Sequence, residues 1–304
     1  MGKEIKSARL RPRHLTNAEL FGTTDMPVLN RPKVVVDRST SEFGGRLRLR
    51  AWHGIALAVG LLLSAGIAEA ASGPKGSSFW VISTLLKWTP LLAEGFLLNL
   101  IMSFLAMALG TLNGTILGLC QVSLIVPVRK TSWLVTQFFR NAPWLVLMFY
   151  VMFLFPFQIK IAGLVIQFPD WIKAVIGFSL PVMANVSELV RGAVQSIPSG
   201  QWEAARSLAL TRRQMFMLII IPQCVKRVLP PWMNLYAILT MATVLASVVG
   251  VQEMMTLTGE VLVAEQTRTL LLPIYFYVLC WFFAYCYPIA VVTQRLERRF
   301  AVLG

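Results

Sequence analysis

Six long apolar runs, separated by short polar segments, limit what this chain can become. They lie near Trp52 to Ala71, Leu92 to Val126, Trp144 to Ile166, Trp171 to Val194, Leu229 to Val251 and Leu270 to Thr293. About 20 helical residues at 1.5 Å each cross the hydrocarbon core, so each run is read as one spanning helix. The expected fold class is therefore all-α, a polytopic membrane protein with about six transmembrane helices. A composition that is 56% hydrophobic, with mean hydropathy +0.66 over 304 residues, agrees, because a soluble core does not need so much apolar surface. The second run is too long for a straight span, so tilt or an interfacial first turn near Glu94 is expected.

The net charge of +14 raises nucleic acid as a partner, and the placement of the charges argues against it. Eleven Lys and Arg lie between Lys3 and Arg50, and others cluster at Arg129, Lys130 and Arg140, from Arg191 to Arg227, and from Arg295 to Arg299. The alternate segments hold only Lys75, Lys87, Lys160, Lys173 and Arg268. The positive-inside bias then puts both termini and the segment between the fourth and fifth runs in the cytoplasm. Topology explains the basic balance, and no nucleic-acid partner is expected. Cys120, Cys224, Cys280 and Cys286 sit in or beside apolar runs without zinc spacing and are read as small hydrophobes, while His14 and His53 are too isolated to suggest a metal.

Residues 1–50 are basic, punctuated by Pro12, Pro27, Pro32 and Gly44-Gly45, and lack sustained periodicity, so a largely disordered tail is expected. Arg46, Arg48 and Arg50 are suited to anionic lipid head groups. Residues 51–90 are read as a first helix with an external linker, and residues 91–304 as the remaining membrane core. The stretch from Arg46 to Ala70 also has the layout of a signal peptide, but the long extension ahead of it favours an uncleaved anchor. Gly110, Gly114 and Gly118 recur every fourth residue and mark a helix face for close packing.

Between the fourth and fifth runs, residues 196–222 break the apolar pattern. Pro198 and Gly200 are expected to end the preceding helix, and Glu203 to sit in the first turn of a new one, where its charge suits the positive end of the dipole. Ala204, Ala205 and Ala209 would leave that short helix a smooth face, suited to a groove in another protein. Glu188 and Arg191 are three apart on one helical face and can pair near the membrane boundary. Polar residues inside the runs include Asn99, Asn113, Gln121, Asn185, Glu188, Asn234, Thr240, Thr243 and Ser247. Asn113, Asn185, Glu188, Thr243 and Ser247 are the candidate lining of a polar pathway, and bonding to a neighbouring helix is the competing reading of each.

Gln201-Trp202-Glu203-Ala204-Ala205 followed by Ile219-Ile220-Ile221-Pro222 resembles the EAA loop of bacterial ABC-importer permeases. That pattern is Glu-Ala-Ala, three residues, Gly, nine residues, Ile, one residue, Leu, Pro; Ala209 stands at its Gly and Ile221 at its Leu. The chain is most similar to permeases for polar amino acids. Phe139-Arg140-Asn141-Ala142-Pro143 resembles their Phe-Arg-Asn-x-Pro element, and Ser187-Glu188-Leu189-Val190-Arg191-Gly192 their Ala-Glu-x-x-Arg-Gly element.

The resemblance implies a type I importer core of five helices plus an extra N-terminal helix, in a bacterial inner membrane. Gly200, Glu203, Ala204, Ala205, Ala209 and Pro222 would couple it to a separate dimer of ATP-binding subunits, which would hold the ATP and Mg. This chain would bind no cofactor and catalyse no reaction. A second permease subunit, an external solute-binding protein and membrane lipid complete the expected partners. Ala at 209 is expected to stiffen the turn and leave docking with altered geometry. Where the family often has Lys-Asp-Thr-Ser-Leu, this chain has Met241-Ala242-Thr243-Val244-Leu245, so either the solute differs or a heterodimer partner supplies the charges. A stand-alone ion-coupled or channel-like carrier is the alternative reading. A phosphate-loop ATPase is excluded, because no Gly-Lys precedes a Ser or Thr.

Overall fold

The computed structural model describes residues 78–161 and 164–301. The expected tail and the run near Trp52 to Ala71 lie outside the described residues. In chain order the elements are α1 (Ser78–Gln121), α2 (Val126–Asn141), α3 (Trp144–Leu154), a hairpin of β1 (Gln158–Ile161) and β2 (Leu164–Gln167), and α4 (Asp170–Gln195). There follow α5 (Ser199–Ser207), α6 (Arg212–Met215), a π-helical turn over Phe216–Ile220, α7 (Ile221–Ala242) and a 3₁₀ segment over Thr243–Val249. The chain closes with α8 (Met254–Glu265), a 3₁₀ turn over Arg268–Leu270 and α9 (Leu271–Ala301).

Among the described residues, four stretches are long and apolar enough to cross a membrane: Phe79–Gln121, Asp170–Gln195, Arg212–Val249 and Arg268–Phe300. With the shorter apolar helix α3 they supply the five apolar helices of the expected core.

The structure narrows, adds to or corrects the sequence reading at three places. No separate turn forms near Glu94, which is an exposed residue inside the continuous α1. At 44 residues α1 is about 66 Å long, twice the hydrocarbon thickness, because Val81, Leu85 and Leu92 find partners in Ile274, Val278 and Phe282 of α9 and the helix extends to reach them. The basic segment around Arg129 and Lys130, read from sequence only as a charge cluster, forms an amphipathic helix, α2; Pro127 in its first turn suits a helix start. The third run stays helical only to Leu154. Pro156 holds Phe155 in an extended conformation (φ −88°, ψ 134°), and residues that would have completed a span pair as an antiparallel hairpin with Gln158 opposite Gln167.

The most extensive packing is between α1 and α4. Gly110, Gly114 and Gly118 of α1 face Val182, Val186 and Val190 of α4, a groove and a ridge of equal spacing advancing in the same direction along the chain. The two helices therefore run parallel. A Cβ at Gly114 would lie 2.6 Å from the Met183 carbonyl oxygen, and one at Gly118 2.7 Å from that of Ser187. Gly95 makes a similar approach to the start of α8, where a Cβ would be 2.7 Å from the Met254 backbone.

Around this seam lie a core of Met102, Ala106, Met148, Phe178, Val182 and Leu239, and a second built from α1, α8 and α9 around Leu92, Phe96, Met254 and Ile274. A third and smaller one holds Ile197, Ala205, Met215 and Ile220.

Gly114→Val tests the seam. A backbone carbonyl cannot swing aside as a side chain can, so the substitution should force α1 and α4 apart and lower stability by about 1–3 kcal/mol in thermal unfolding of the detergent-purified protein. Gly192→Ala, with nothing within 4 Å of the added Cβ, should not.

Candidate coupling and translocation site

The segment between α4 and α7 forms a small unit with its own core. The α4 helix ends at Gln195, Pro198 caps the next helix in an extended conformation, and α5 begins at Ser199. This start is earlier than expected. Gly200 sits in the first turn instead of breaking a helix, and Glu203 falls one turn further along, beyond the strongest reach of the dipole.

Ala205 is buried against Ile197, Met215 and Ile220, with Trp202 edge-on to Phe216 at a centroid distance of 5.4 Å. Gly200, Glu203, Ala204 and Ala209 are exposed. The outer face of α5 is thus short, small-chained and acidic at one point.

Ala209 adopts φ +52°, a left-handed conformation that costs a residue with a Cβ about 1–2 kcal/mol. The chain accepts it because the helix terminates in a Schellman arrangement. The Ala209 N–H donates to the Arg206 carbonyl at 2.9 Å, and the Leu210 N–H to the Ala205 carbonyl at 3.3 Å. Leu210 packs into the small core beside Ala205. The physical basis of a Gly at this place is therefore visible: Ala changes the energy of the turn and keeps its hydrogen bonds.

Pro222, also exposed, sits in the first turn of α7. Lacking an N–H, it cannot bond the Leu218 carbonyl, and just before it the helix widens, with the Ile221 N–H reaching the Phe216 carbonyl five residues back. Two side chains from α7 grip the unit. Gln223 Nε2 donates to Gln201 Oε1 at 3.2 Å, and Arg227 Nη1 to the Ser196 carbonyl at 2.7 Å and Oγ at 2.8 Å. Sequence reasoning gave Arg227 a topological role first, with ATPase or lipid contacts second, and no partner within the chain; here it satisfies the end of α4.

Glu188 joins two motifs that are far apart in sequence. It forms the i,i+3 pair with Arg191 (Nη2 to Oε2 2.6 Å) and also meets Arg140 of α2 at 3.6 Å and Gln137 Nε2 at 3.5 Å. Its side chain is 13% exposed, against 46% and 32% for the two arginines. The carboxylate is thus the inner member of a triad that ties α2 to α4.

The remaining pathway candidates are not gathered together. Asn113 is exposed and donates to its own helix at Leu109, Asn185 does the same to Pro181, and Ser247 donates to the Val244 carbonyl.

Thr243 belongs to a buried network that sequence reasoning did not assemble. Asn99 Nδ2 donates to Thr243 Oγ1 and to Glu253 Oε2, both at 2.9 Å, and Asn99 Oδ1 accepts from the Met254 N–H. Glu253 Oε1 accepts from the Thr256 N–H at the start of α8. The network pins the 3₁₀ segment and α8 to α1. No local pattern signals it, since its members are separated by about half the chain.

A bundle of apolar helices, interrupted by an exposed polar unit between α4 and α7, defines a membrane permease. Comparison with known proteins then places it: residues 110–302 match the family described as the binding-protein-dependent transport system inner membrane component, and the chain belongs to that family. It is similar to the probable amino-acid ABC transporter permease protein YckA of Bacillus subtilis, at 32% identity over 212 residues that cover 70% of this chain and 90% of the relative. It is 29% identical to the L-cystine transport system permease protein TcyB of the same organism over 223 residues, covering 73% and 88%.

The fold also resembles the crystal structure of an amino acid ABC transporter with histidines, with TM-score 0.61, 25% identity and coverage of 71% of this chain and 96% of that one. The MetNI methionine ABC transporter in an inward-facing conformation shares the fold alone, at TM-score 0.55 and 16% identity, covering 70% and 98%. The protein is thus a multi-pass inner-membrane permease subunit of an ABC importer, and the stand-alone carrier is set aside.

Two predictions follow from the geometry. Ala209→Gly should relieve the left-handed strain and raise stability by about 0.5–1 kcal/mol, the gain being reduced by the greater freedom of Gly in the unfolded chain; a thermal shift of the detergent-purified protein reads it. Glu188→Gln leaves two guanidinium groups facing a neutral amide and should cost about 1–3 kcal/mol, between the values for exposed and buried pairs; Arg140→Gln, which removes the more exposed member, should cost less in the same assay.

Proposed function

We propose that this chain forms the translocation pathway of an importer for amino acids or related polar solutes, and that α5 is the element through which a separate ATPase drives it. The observation that carries the coupling role is the exposed face of α5, with Glu203, Ala204 and Gly200 outward and Ala205 inward on a private core. Such a face fits a groove, and the strained turn at Ala209 and the exposed Pro222 bound it. ATP and Mg would be held by the ATPase dimer and no cofactor by this chain.

The relatives' names support the solute class. A second permease subunit and an external solute-binding protein complete the assembly, with the basic ends of the bundle and both termini on the cytoplasmic side.

Where charged residues are common in amino-acid permeases, Met241 is half exposed and Ala242 partly buried. This subunit therefore presents an apolar surface at that place, which favours a heterodimer whose partner supplies the charge. Thr243, held by Asn99, acts there as a positioning residue.

Charge reversal at Glu203 tests the coupling. Glu203→Lys is expected to reduce ATPase recovery in a detergent pull-down by about tenfold, or to uncouple hydrolysis from uptake, while the chain still inserts. Solute-stimulated transport at the normal rate by this variant would overturn the reading.

A further inference from the structure

Where α1, α2 and α4 meet at the basic end of the bundle, a cavity of about 240 Å³ is lined by Gln121, Arg129, Lys130, Trp133, Arg191 and Gln195. A larger one of about 660 Å³ adjoins it, shares Gln121, Arg129 and Gln195, and adds Arg206 and Arg212 from the coupling unit. Five cationic side chains therefore line the two cavities, and no carboxylate does. Among the described residues, no carboxylate lies within ion-pair distance of Arg129, Lys130, Arg206 or Arg212; Arg191 is held by Glu188.

Charges that only anchor topology face water or head groups singly, and nothing requires them to converge on a concavity. The smaller cavity has the volume of about eight waters, suited to a small head group.

A second observation sets the chemistry further. Gln121 is 3% exposed, and its Nε2 uses both hydrogens, donating to Thr136 Oγ1 at 2.9 Å and to Ser187 Oγ at 2.6 Å. The two hydroxyls are themselves 3.0 Å apart and bonded, so this trio of α1, α2 and α4 is closed. Gln121 Oε1 is left buried with no hydrogen-bond partner. A buried acceptor of this kind calls for a donor, and Gln121 is among the residues lining both cavities. The cations call for an anion and this oxygen for a donor, and a phosphate ester that carries a hydroxyl answers both.

We infer that the cavities at the basic ends of α1, α2 and α4 bind a hydroxyl-bearing phosphate ester, the phosphate held by Arg129 and Lys130 and the hydroxyl donating to Gln121 Oε1. Arg206, on α5, reaches the same region from the coupling unit, so an occupant would bridge that unit to α2. Apolar Val122 and Leu124 line the larger cavity alongside the cations, which suits acyl chains leaving a phosphatidylglycerol head group. A soluble glycerophosphate offers the same polar chemistry without the chains.

The test uses the assembled transporter with its partner subunits, in neutral detergent, washed through phosphatidylcholine. It is titrated separately with phosphatidylglycerol, phosphatidylmethanol and glycerol 3-phosphate, and bound mass is read by native mass spectrometry. Saturable phosphatidylglycerol binding, weakened about fivefold by Arg129→Ala and by Lys130→Ala but unchanged by Arg298→Ala outside the cavities, would support the site with lipid as its source. Glycerol 3-phosphate binding with the same variant pattern would support it with a soluble source. Equal binding of phosphatidylmethanol, which has the charge and no hydroxyl, would overturn the role of Gln121. Failure of both ligands to bind, or equal loss in all three variants, would overturn the site.

Discussion

The parallel contact between α1 and α4 is the constraint on which the rest depends. Helices in lipid gain little from hiding apolar surface from one another, so close approach has to be won by shape. Three glycines at four-residue spacing make a groove, three valines at the same spacing make the ridge, and the two backbones come close enough that carbonyls occupy the space a methyl group would need. Because both series advance together, the register is fixed along the seam and the same ends of the two helices are brought level. A slip by one residue would set every valine against a residue that has a Cβ.

That alignment puts the polar links where they can form. With the ends of α1 and α4 level, Gln121 reaches Ser187, and α2, folding back beside them, offers Thr136 to the same trio. Further along α2, Arg140 arrives at Glu188. Neither link is strong enough to position a helix alone, since a partly exposed ion pair contributes little and a neutral hydrogen bond about 1 kcal/mol. They act as register marks on a geometry that packing has already set, and they hold α2, whose own outer face is largely exposed.

Much of this was legible because it is local or periodic. Runs of apolar residues reveal spans, a repeat of four reveals a packing face, and Glu203-Ala204-Ala205 with Pro222 at its spacing marks the separate unit between α4 and α7. The α2 helix was obscured because Arg129, Lys130 and Arg140 read as loop charges, although their spacing also allows an amphipathic helix. The hairpin was obscured because Phe155, Phe157 and the alternating residues after them are apolar enough to extend a span, and Pro156 alone marks the stop. The Arg140 to Glu188 and Asn99 to Glu253 contacts join residues far apart in sequence, and no window on one chain can show them. The left-handed turn at Ala209 was legible only as the place of a Gly, not as a strained Ala.

The unit between α4 and α7 has a mechanical property that its sequence does not express. Its core of Ile197, Ala205, Met215 and Ile220 is separate from the two larger cores, so it can move without repacking either of them. It is joined to α4 through Pro198, where the backbone is extended, and to α7 through a π-helical turn whose hydrogen bonds are already displaced by Pro222. Both junctions are places where a helix has given up its regular ladder, and bending there breaks fewer bonds than bending within α4 or α7. The clamps from Gln223 and Arg227 fasten α5 to α7 and α7 to the end of α4. On the proposed coupling role, a push on α5 would be carried to those two helices as a pair, and through the glycine seam to α1.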